Sequence, residues 1–205
     1  MKYIDFQQMF SPLGCFDINQ VQMVRPDFER SAINRWVAKG YLIQLKNGVY
    51  AFKQWATLPG VDFIAANRIY RPSYISMYSA LSHYGMIPEF VAQTTSVTTL
   101  KTATFNNVMG SFKYHHVKPN LFFSYHNIAS TTLRDILIAT PEKALIDLLY
   151  LSPDLKTEQD MLNLRLDEEY MGEEFDYNEA HTMLQRIGSK TLLHRFTLLE
   201  NTYRQ

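Results

Sequence analysis

Four side chains between residues 30 and 35 carry hydrogen-bonding groups that can recognise the edges of bases. They are Arg30, Ser31, Asn34 and Arg35. Residues three and four apart share one face of a helix, so these groups would project together. An arginine can donate two hydrogen bonds to guanine, and an asparagine can pair with adenine in a similar way. Ala38, on the same face, leaves room for a thymine methyl group. This chemistry suits the major groove of double-stranded DNA.

A helix over residues 27–39 would carry this face. Asp27 is its predicted N-cap, and Gly40 can end it in the left-handed conformation. The buried stripe of this helix would consist of Phe28, Ala32, Ile33, Trp36 and Val37. Two shorter helices are expected before it, over Tyr3–Phe10 and over residues 17–24. Asp17 would cap the second of these helices, and Pro26 would stop it.

A β-hairpin is predicted directly after the third helix, around Asn47-Gly48. This dipeptide favours a type I′ turn. Pairing outward from the turn places Lys46 opposite Val49, Leu45 opposite Tyr50, Gln44 opposite Ala51 and Ile43 opposite Phe52. One face of the hairpin would then hold Ile43, Leu45, Tyr50 and Phe52, and the other would hold Gln44, Lys46, Val49 and Ala51.

Helix, turn, helix and hairpin in this order predict a winged helix-turn-helix DNA-binding domain over residues 1–59. Arg30, Ser31, Asn34 and Arg35 would contact bases. Arg25, Lys39, Lys46 and Asn47 would lie nearer the phosphate backbone. Two alternatives stay open. In the first, the polar face of the third helix would be an ordinary solvated surface. In the second, the winged-helix fold would serve as a protein-interaction module without a DNA role.

The charge distribution is uneven although the net charge is zero. Residues 1–59 contain seven Lys and Arg against four Asp and Glu, whereas residues 60–205 contain thirteen against sixteen. The basic excess therefore lies in the segment with the DNA-reading pattern. Because the excess is small, DNA binding would be sensitive to salt. Dimerisation on the DNA or a second basic surface would have to strengthen it.

Residues 60–205 predict a second, mixed α/β domain, which makes the whole chain α+β. Helices are expected over residues 61–70, 72–85 and 157–166, from Pro141 onward, and over Tyr177–Ile187 and Lys190–Tyr203. Strands are expected over residues 94–100, 104–108, 111–117, 121–125 and 133–138, with a hairpin at Met109-Gly110. Short strands in close succession predict a small antiparallel or mixed sheet, followed here by C-terminal helices.

Sequence patterns for catalysis are missing. The chain contains no phosphate-binding loop, no GxGxxG, no HExxH and no nucleophile elbow. The single cysteine, Cys15, excludes an internal disulfide and a multi-cysteine metal site. His115 and His116 would point to opposite faces of a strand, so they would not share a metal ion. We therefore expect neither an enzyme nor a cofactor or metal, with an enzyme that lacks known motifs as the alternative.

Membrane and export signals are also missing from the sequence. No apolar run reaches the roughly 18 residues that a membrane helix needs. The N-terminus, MKYIDFQQMF, contains acidic and polar residues where a signal peptide would have a continuous apolar core. These features predict a cytoplasmic protein without a membrane partner.

Three segments together resemble the AbiEi family of abortive-infection (type IV) antitoxins, which are also transcriptional regulators. The segments are WVAKGYLIQLKNGVYAF at 36–52, RPSYISMYSALSHYGMIPE at 71–89 and IATPEKALIDLLYL at 138–151. The resemblance covers residues 1–150, and its second and third segments are more specific than the first.

The resemblance implies a repressor that binds inverted repeats in its own promoter through an N-terminal winged helix-turn-helix. It also implies that the C-terminal domain carries the antitoxin activity and can help with DNA binding. The functional partner would be a nucleotidyltransferase-like toxin that is counteracted without a stable complex, so direct contact is not assumed. The net acidic charge of residues 60–205 departs from a strongly basic binder and argues against extensive DNA contact there.

Overall fold

The computed structural model describes residues 1–89, 91–128 and 135–204, which form a mixed α+β structure with two sheets. We call residues 1–59 the N-terminal unit and residues 60–205 the C-terminal unit. The N-terminal unit contains α1 (Tyr3–Phe10), β1 (Cys15–Asp17), α2 (Ile18–Val24), α3 (Ser31–Ala38), β2 (Leu42–Lys46) and β3 (Val49–Phe52). Its three strands form an antiparallel sheet in the order β1-β3-β2.

The C-terminal unit is built around a six-stranded mixed sheet in the order β6-β7-β5-β4-β9-β8. Its strands are β4 (Ser73–Ile75), β5 (Gln93–Thr98), β6 (Ala103–Asn107), β7 (Gly110–His116), β8 (Tyr125–Ile128) and β9 (Ile136–Ala139). Its helices are α4 (Val61–Ile69), α5 (Tyr78–His83), α6 (Pro141–Leu151), α7 (Glu158–Leu162), α8 (Tyr177–Ile187) and α9 (Lys190–Tyr203).

The start of α2 confirms the predicted cap. The Asp17 carboxylate accepts a hydrogen bond from the backbone N–H of Asn19 at 2.7 Å, and the Gln20 side chain accepts one from the N–H of Asp17 at 2.9 Å. This reciprocal pair is a capping box, which satisfies N–H groups that a helix start leaves without partners. The strand β1, which ends at Asp17, was not predicted. Three residues are too few to show an alternating pattern.

The helix α3 begins four residues later than predicted. Asp27 does not cap it, because its carboxylate receives two hydrogen bonds of 3.2 Å from the Arg25 guanidinium. The N-cap position belongs to Arg30, whose side chain makes no capping bond. Pro26 and the residues after it form turns instead. The predicted end at Gly40 is confirmed, since this glycine has a φ of +70°.

The hairpin exists, but its predicted register is wrong beyond the first pair. Lys46 lies opposite Val49 as expected, whereas Gln44 lies opposite Tyr50 because Leu45 forms a bulge. Tyr50 and Phe52 share one face of the hairpin and Val49 and Ala51 the other, as predicted, but Ile43 and Leu45 lie with Val49 and Ala51 instead of with Tyr50 and Phe52. The turn is not type I′ either, since Gly48 has a φ of +82° but Asn47 has no positive φ.

An aromatic cluster forms the core of the N-terminal unit. The ring of Phe6 lies 4.7 Å from that of Trp36 and 5.4 Å from that of Phe16, measured between centroids. Leu42, Tyr50 and Phe52 of the sheet face this cluster. The opposite face of the same sheet presents Cys15, Leu45, Val49 and Ala51 to the core of the C-terminal unit. Because both faces are buried, the sheet joins the two units.

The predicted helix over residues 72–85 is wrong in its first half. Ser73–Ile75 is the strand β4, which lies between β5 and β9 in the middle of the sheet, and only Tyr78–His83 is helical. Tyr74 and Met77 fit a helical pattern together with Leu81, which led to the wrong prediction. Tertiary pairing decides otherwise, since all three residues of β4 are buried and a central strand receives hydrogen bonds on both sides.

Most other predicted elements of the C-terminal unit are confirmed. The hairpin at Met109-Gly110 joins β6 to β7 in antiparallel pairing. Thr140 caps α6 by accepting a hydrogen bond from the N–H of Lys143. The helix over residues 157–166 is shorter than expected and ends at Leu162. The strand expected over 121–125 is wrong, since a 3-10 turn ends at Leu121 and β8 begins only at Tyr125. Residues 133 and 134 of the last predicted strand lie outside the described part of the chain.

Candidate nucleic-acid interface

The residues of α3 that were predicted to contact bases are exposed to solvent. Ser31, Asn34, Arg35 and Ala38 are all exposed, as is Arg30 immediately before the helix. The opposite side of α3 is anchored by the buried residues Ala32, Ile33 and Trp36. The aromatic core therefore holds the exposed face in a defined orientation, and we call this exposed set the α3 face.

Arg30 connects α2 to α3. Its Nη2 atom donates a hydrogen bond of 2.7 Å to the Oε1 atom of Gln22 on α2. This contact positions the guanidinium and leaves its remaining N–H groups for other acceptors. Among the described residues, the side chains of Asn34 and Arg35 have no protein hydrogen-bond partner, so their donors point to solvent.

Arg25 is engaged within the protein. The two hydrogen bonds to Asp27 form a bidentate ion pair, and the hydrogen bond from Arg25 lowers the pKa of the Asp27 carboxyl. The fork of N–H groups that a phosphate would need thus already faces a carboxylate. Contact between Arg25 and a phosphate would require an exchange of partners.

The predicted wing packs against the C-terminal unit. The Lys46 ammonium lies 5.8 Å from the ring centroid of Tyr70 and 5.7 Å from that of Phe105, which are cation–π distances. The Asn107 side chain also donates a hydrogen bond of 3.1 Å to the carbonyl oxygen of Leu45. Lys46 is therefore turned toward these rings, while Asn47 at the tip of the hairpin is exposed.

The C-terminal end of α3 carries additional positive charge. Lys39 is exposed there as predicted. Lys53, which was not among the predicted contacts, has its ammonium close to Gly40, where a Cβ atom would come within 3.8 Å of Nζ. The sequence contained no signal for this approach, because it depends on the way the chain leaves β3.

A second basic region was missed because only the total charge of the C-terminal unit was considered. Residues 90–134 contain Lys101, Lys113, Lys118 and Arg134 but no Asp or Glu. The described part of this segment includes β5 to β8, and Asn107 of β6 contacts the hairpin β2-β3 at Leu45. The acidic excess lies entirely outside this segment. Charge counted over short windows would have shown this separation.

The C-terminal unit also contains a buried polar network that sequence reasoning missed. The Lys143 ammonium is bonded to the Asp147 carboxylate one helical turn away, and it donates a hydrogen bond of 2.9 Å to the Tyr74 hydroxyl. Tyr74 and Ser76 donate to the same carboxylate at 2.9 and 2.8 Å. The spacing of Lys143 and Asp147 in an otherwise apolar helix was the available signal.

Burial shifts the titration of this network. Removal from water lowers the pKa of Lys143 and raises that of Asp147, while their mutual attraction opposes both shifts. Burial, followed by the nearby Asp147 carboxylate, raises the pKa of Tyr74. Lys143 and Asp147 are almost completely inaccessible to solvent. The network therefore joins β4 to α6 and does not form part of an open site.

Other chemistry is sparse in the described residues. Within residues 1–89, 91–128 and 135–204, no group of three His, Cys, Asp or Glu side chains is arranged to hold a metal ion. In those same ranges, no helix is both long and apolar enough to cross a bilayer. Burial raises the pKa of the Cys15 thiol to about 12. At neutral pH this thiol is therefore protonated and a poor nucleophile.

The comparisons with known proteins do not identify a family. The chain matches no protein-family model and no curated protein. The α3 face and its surroundings consequently carry the functional argument, together with the sequence resemblance described above.

Proposed function

We propose that this protein is a sequence-specific DNA-binding transcriptional repressor. The observation that carries the proposal is the α3 face, where Arg30, Ser31, Asn34 and Arg35 are exposed on a helix whose other side is buried. These are the side chains that pair with guanine and adenine in the major groove. A solvated helix surface without a role would not require this combination of donors next to a small residue, Ala38.

The surrounding elements support a winged helix-turn-helix. The helices α2 and α3 follow each other with a turn between them, and the hairpin β2-β3 comes next. In helix-turn-helix proteins the second of the two helices enters the major groove. On this proposal α3 is the recognition helix, and β1 completes the sheet that holds the hairpin.

The small basic excess sets the expected mode of binding. Lys39, Asn47 and Lys53 are exposed and would contact phosphates on this proposal, whereas Arg25 and Lys46 would first have to leave their protein partners. Few phosphate contacts give weak affinity that falls as salt rises. We therefore propose a dimer on an inverted repeat, since two recognition helices on one duplex would add their contacts.

The test is binding to the DNA upstream of the protein's own gene, measured by fluorescence anisotropy at physiological salt. The double variant Arg30→Ala/Arg35→Ala should bind at least about 30-fold more weakly, because each bidentate base contact contributes about 1–3 kcal/mol. The control is Lys156→Ala/Lys190→Ala, which removes the same charge from two exposed lysines of the C-terminal unit. Equal affinity of the Arg30/Arg35 variant and the wild type would rule out the proposed recognition helix.

A protein-interaction module is the second candidate, and one feature of α2 favours it. Met23 and Val24 are 83% and 58% exposed although both are apolar. Exposed apolar side chains at the end of α2 could pack against another protein. Co-purification of a partner that is lost in Met23→Ser, together with no binding to the upstream DNA, would favour this candidate over the repressor.

The resemblance to AbiEi antitoxins extends the proposal to a toxin–antitoxin pair. We propose that the C-terminal unit counteracts a nucleotidyltransferase-like toxin encoded by a neighbouring gene. Co-expression with that toxin should restore growth of the host cells. If the two activities reside in different units, Arg30→Ala/Arg35→Ala should still restore growth. Failure of the wild-type protein to do so would exclude the antitoxin role while leaving the DNA role intact.

A further inference from the structure

A cleft of about 500 Å³ lies beside the first strand of the C-terminal unit. The helix α4 forms one wall, and β8 and β9 form the other. Beside the cleft, β4 and β9 are paired in register only at Ile75 and Ile138. The Asn67 side chain of α4 bonds the backbone of Leu137 on β9. Its Oδ1 atom accepts from the Leu137 N–H at 2.7 Å, and its Nδ2 atom donates to the Leu137 carbonyl oxygen at 3.2 Å. The volume is within the range of small-molecule sites.

One wall of the cleft is aromatic and firmly supported. Tyr125 and Phe122 line it. The Tyr125 ring is stacked on that of Tyr74, with 4.7 Å between centroids and 13° between planes. Tyr74 is itself held by its hydrogen bonds to Lys143 and Asp147. A planar ring could therefore pack against this wall without first ordering it, which reduces the entropic cost of binding.

The remaining lining is polar and carries both signs of charge. Arg68, in the last turn of α4, and Arg71, two residues beyond the helix, also line the cleft, and each has a further interaction within the protein. Arg71 is positioned by a hydrogen bond of 2.8 Å from its Nε atom to the carbonyl oxygen of Asn67. Asn127 and Asp135 lie on the strand wall and are exposed. Guanidinium groups bind phosphate oxygens, while a carboxylate and an amide bind hydroxyl and amino groups.

We propose that this cleft binds a nucleoside monophosphate. The phosphate would lie between Arg68 and Arg71, and the base would pack on Tyr125. Asp135 and Asn127 would hydrogen-bond the sugar hydroxyls or the edge of the base. Inorganic phosphate would lack the ring that packs on Tyr125, and a nucleoside would lack the phosphate that the arginines bind.

The same two arginines also face the N-terminal unit. Arg68 and Arg71 line a second, smaller cleft of about 220 Å³ against Asp17, Asn19 and Met23 at α2. The positive charge of Arg68 also acts on the buried Cys15 of β1, where it opposes the rise of the thiol pKa. A ligand that binds these guanidinium groups would change the charge next to α2.

On this proposal, the second cleft links the first cleft to the α3 face. The helix α2 carries Gln22, which positions Arg30. Ligand binding should therefore alter DNA affinity, and this part of the inference rests on the proposed DNA-binding function. Coupling between two sites of this kind typically changes affinity about 5-fold or more.

Isothermal titration calorimetry with AMP and UMP tests the binding step. At least one of them should bind, with inorganic phosphate and the corresponding nucleoside about 10-fold weaker. Equal binding of inorganic phosphate would contradict the aromatic part of the site, and equal binding of the nucleoside would contradict the role of the arginines. No heat with either nucleotide at concentrations of about 5 mM would overturn the proposal.

Substitutions locate the site. Arg71→Gln and Asn127→Ala should each weaken nucleotide binding, the first by about 10-fold or more. The control is Lys156→Gln, an exposed lysine of the same unit outside the cleft. Asn127 is exposed on an edge strand, so Asn127→Ala tests the site even if Arg71→Gln does not fold. Unchanged affinity in a folded Asn127→Ala or Arg71→Gln protein would contradict the assignment.

The DNA measurement separates the two proposals. Adding the nucleotide should change the affinity of the wild type for its upstream DNA, and Asn127→Ala should reduce that response. Nucleotide binding without any effect on DNA affinity would exclude the coupling. If the protein does not bind DNA at all, the proposed function fails, whereas calorimetry still decides whether the cleft binds nucleotides.

Discussion

Lys143 and Asp147 are charged side chains that the fold buries among apolar neighbours on α6. The Lys143 ammonium and the Asp147 carboxylate form an ion pair, and the hydroxyls of Tyr74 and Ser76 donate further hydrogen bonds to the carboxylate. A buried ion pair contributes little net stability compared with an apolar pair, but the loss of one partner is costly. We infer that the network instead helps to specify how β4 packs against α6, because all four groups find partners in this placement.

The variant Lys143→Met should lose about 3–5 kcal/mol of unfolding free energy, because it leaves the Asp147 carboxylate buried without its cation. Adding Asp147→Asn should recover part of the loss, since the amide carries no charge and its oxygen still accepts from Tyr74. Urea denaturation measures both effects, with the exposed Lys156→Met as the control. A double variant no more stable than Lys143→Met would contradict this explanation.

The same variant should respond to pH. Without Lys143, only the hydrogen bonds from Ser76 and Tyr74 oppose the effect of burial on Asp147, so burial holds the pKa of this carboxyl above its value in the unfolded chain. A carboxyl whose pKa is higher in the folded protein than in the unfolded chain binds its proton more tightly in the folded state. The free energy of unfolding therefore decreases as the pH rises through the folded-state pKa. The difference in stability between wild type and Lys143→Met should therefore narrow as the pH falls from neutral toward the acid range.

Among the predicted features of the elements, the residues that cap the helix ends agree best with the structure. Asp17 and Thr140 cap α2 and α6, and Gly40 follows α3, because each of these features depends on one or two neighbouring residues. The start of α3 is the exception. Asp27 is a suitable capping residue, but the nearby Arg25 binds its carboxylate instead.

The capping box of α2 can be tested directly. Asp17→Ala should cost about 1 kcal/mol of stability, because the N–H groups at the start of α2 lose their acceptor. Asp17→Asn is the matched control, since its side-chain oxygen can still accept these hydrogen bonds. Thermal denaturation at fixed pH compares the two variants. Equal midpoints for Asp17→Ala and Asp17→Asn would show that the cap does not stabilise α2.

The whole molecule is held together by the N-terminal sheet. One face of this sheet belongs to the aromatic core around Phe6, and the other face packs Cys15, Leu45, Val49 and Ala51 into the core that contains Ile64 of α4. If the units separated, both would expose apolar surface to water, which is unfavourable. We therefore expect the two units to unfold together.

Fluorescence can test this expectation, because both tryptophans, Trp36 and Trp55, lie in the N-terminal unit. The unfolding midpoint from tryptophan fluorescence should coincide with the midpoint from far-UV circular dichroism, which reports on all helices. Ile64→Ala, a cavity in the C-terminal core, should lower both midpoints together, at a cost of about 2–5 kcal/mol. A fluorescence transition that stays in place while the circular dichroism transition shifts would show that the units unfold independently.

The sequence by itself determined the α+β class, the order of most helices, the hairpin β6-β7 and the polar composition of the α3 face. Local rules suffice for these features, because caps, turns and helical spacing involve residues close together in the chain. Only the tertiary structure decided that Ser73–Ile75 is a central strand, that Lys46 faces Tyr70 and Phe105, and that Lys143 and Asp147 are buried together. Each of these depends on residues far apart in the chain, whose packing and hydrogen bonds outweigh local preference.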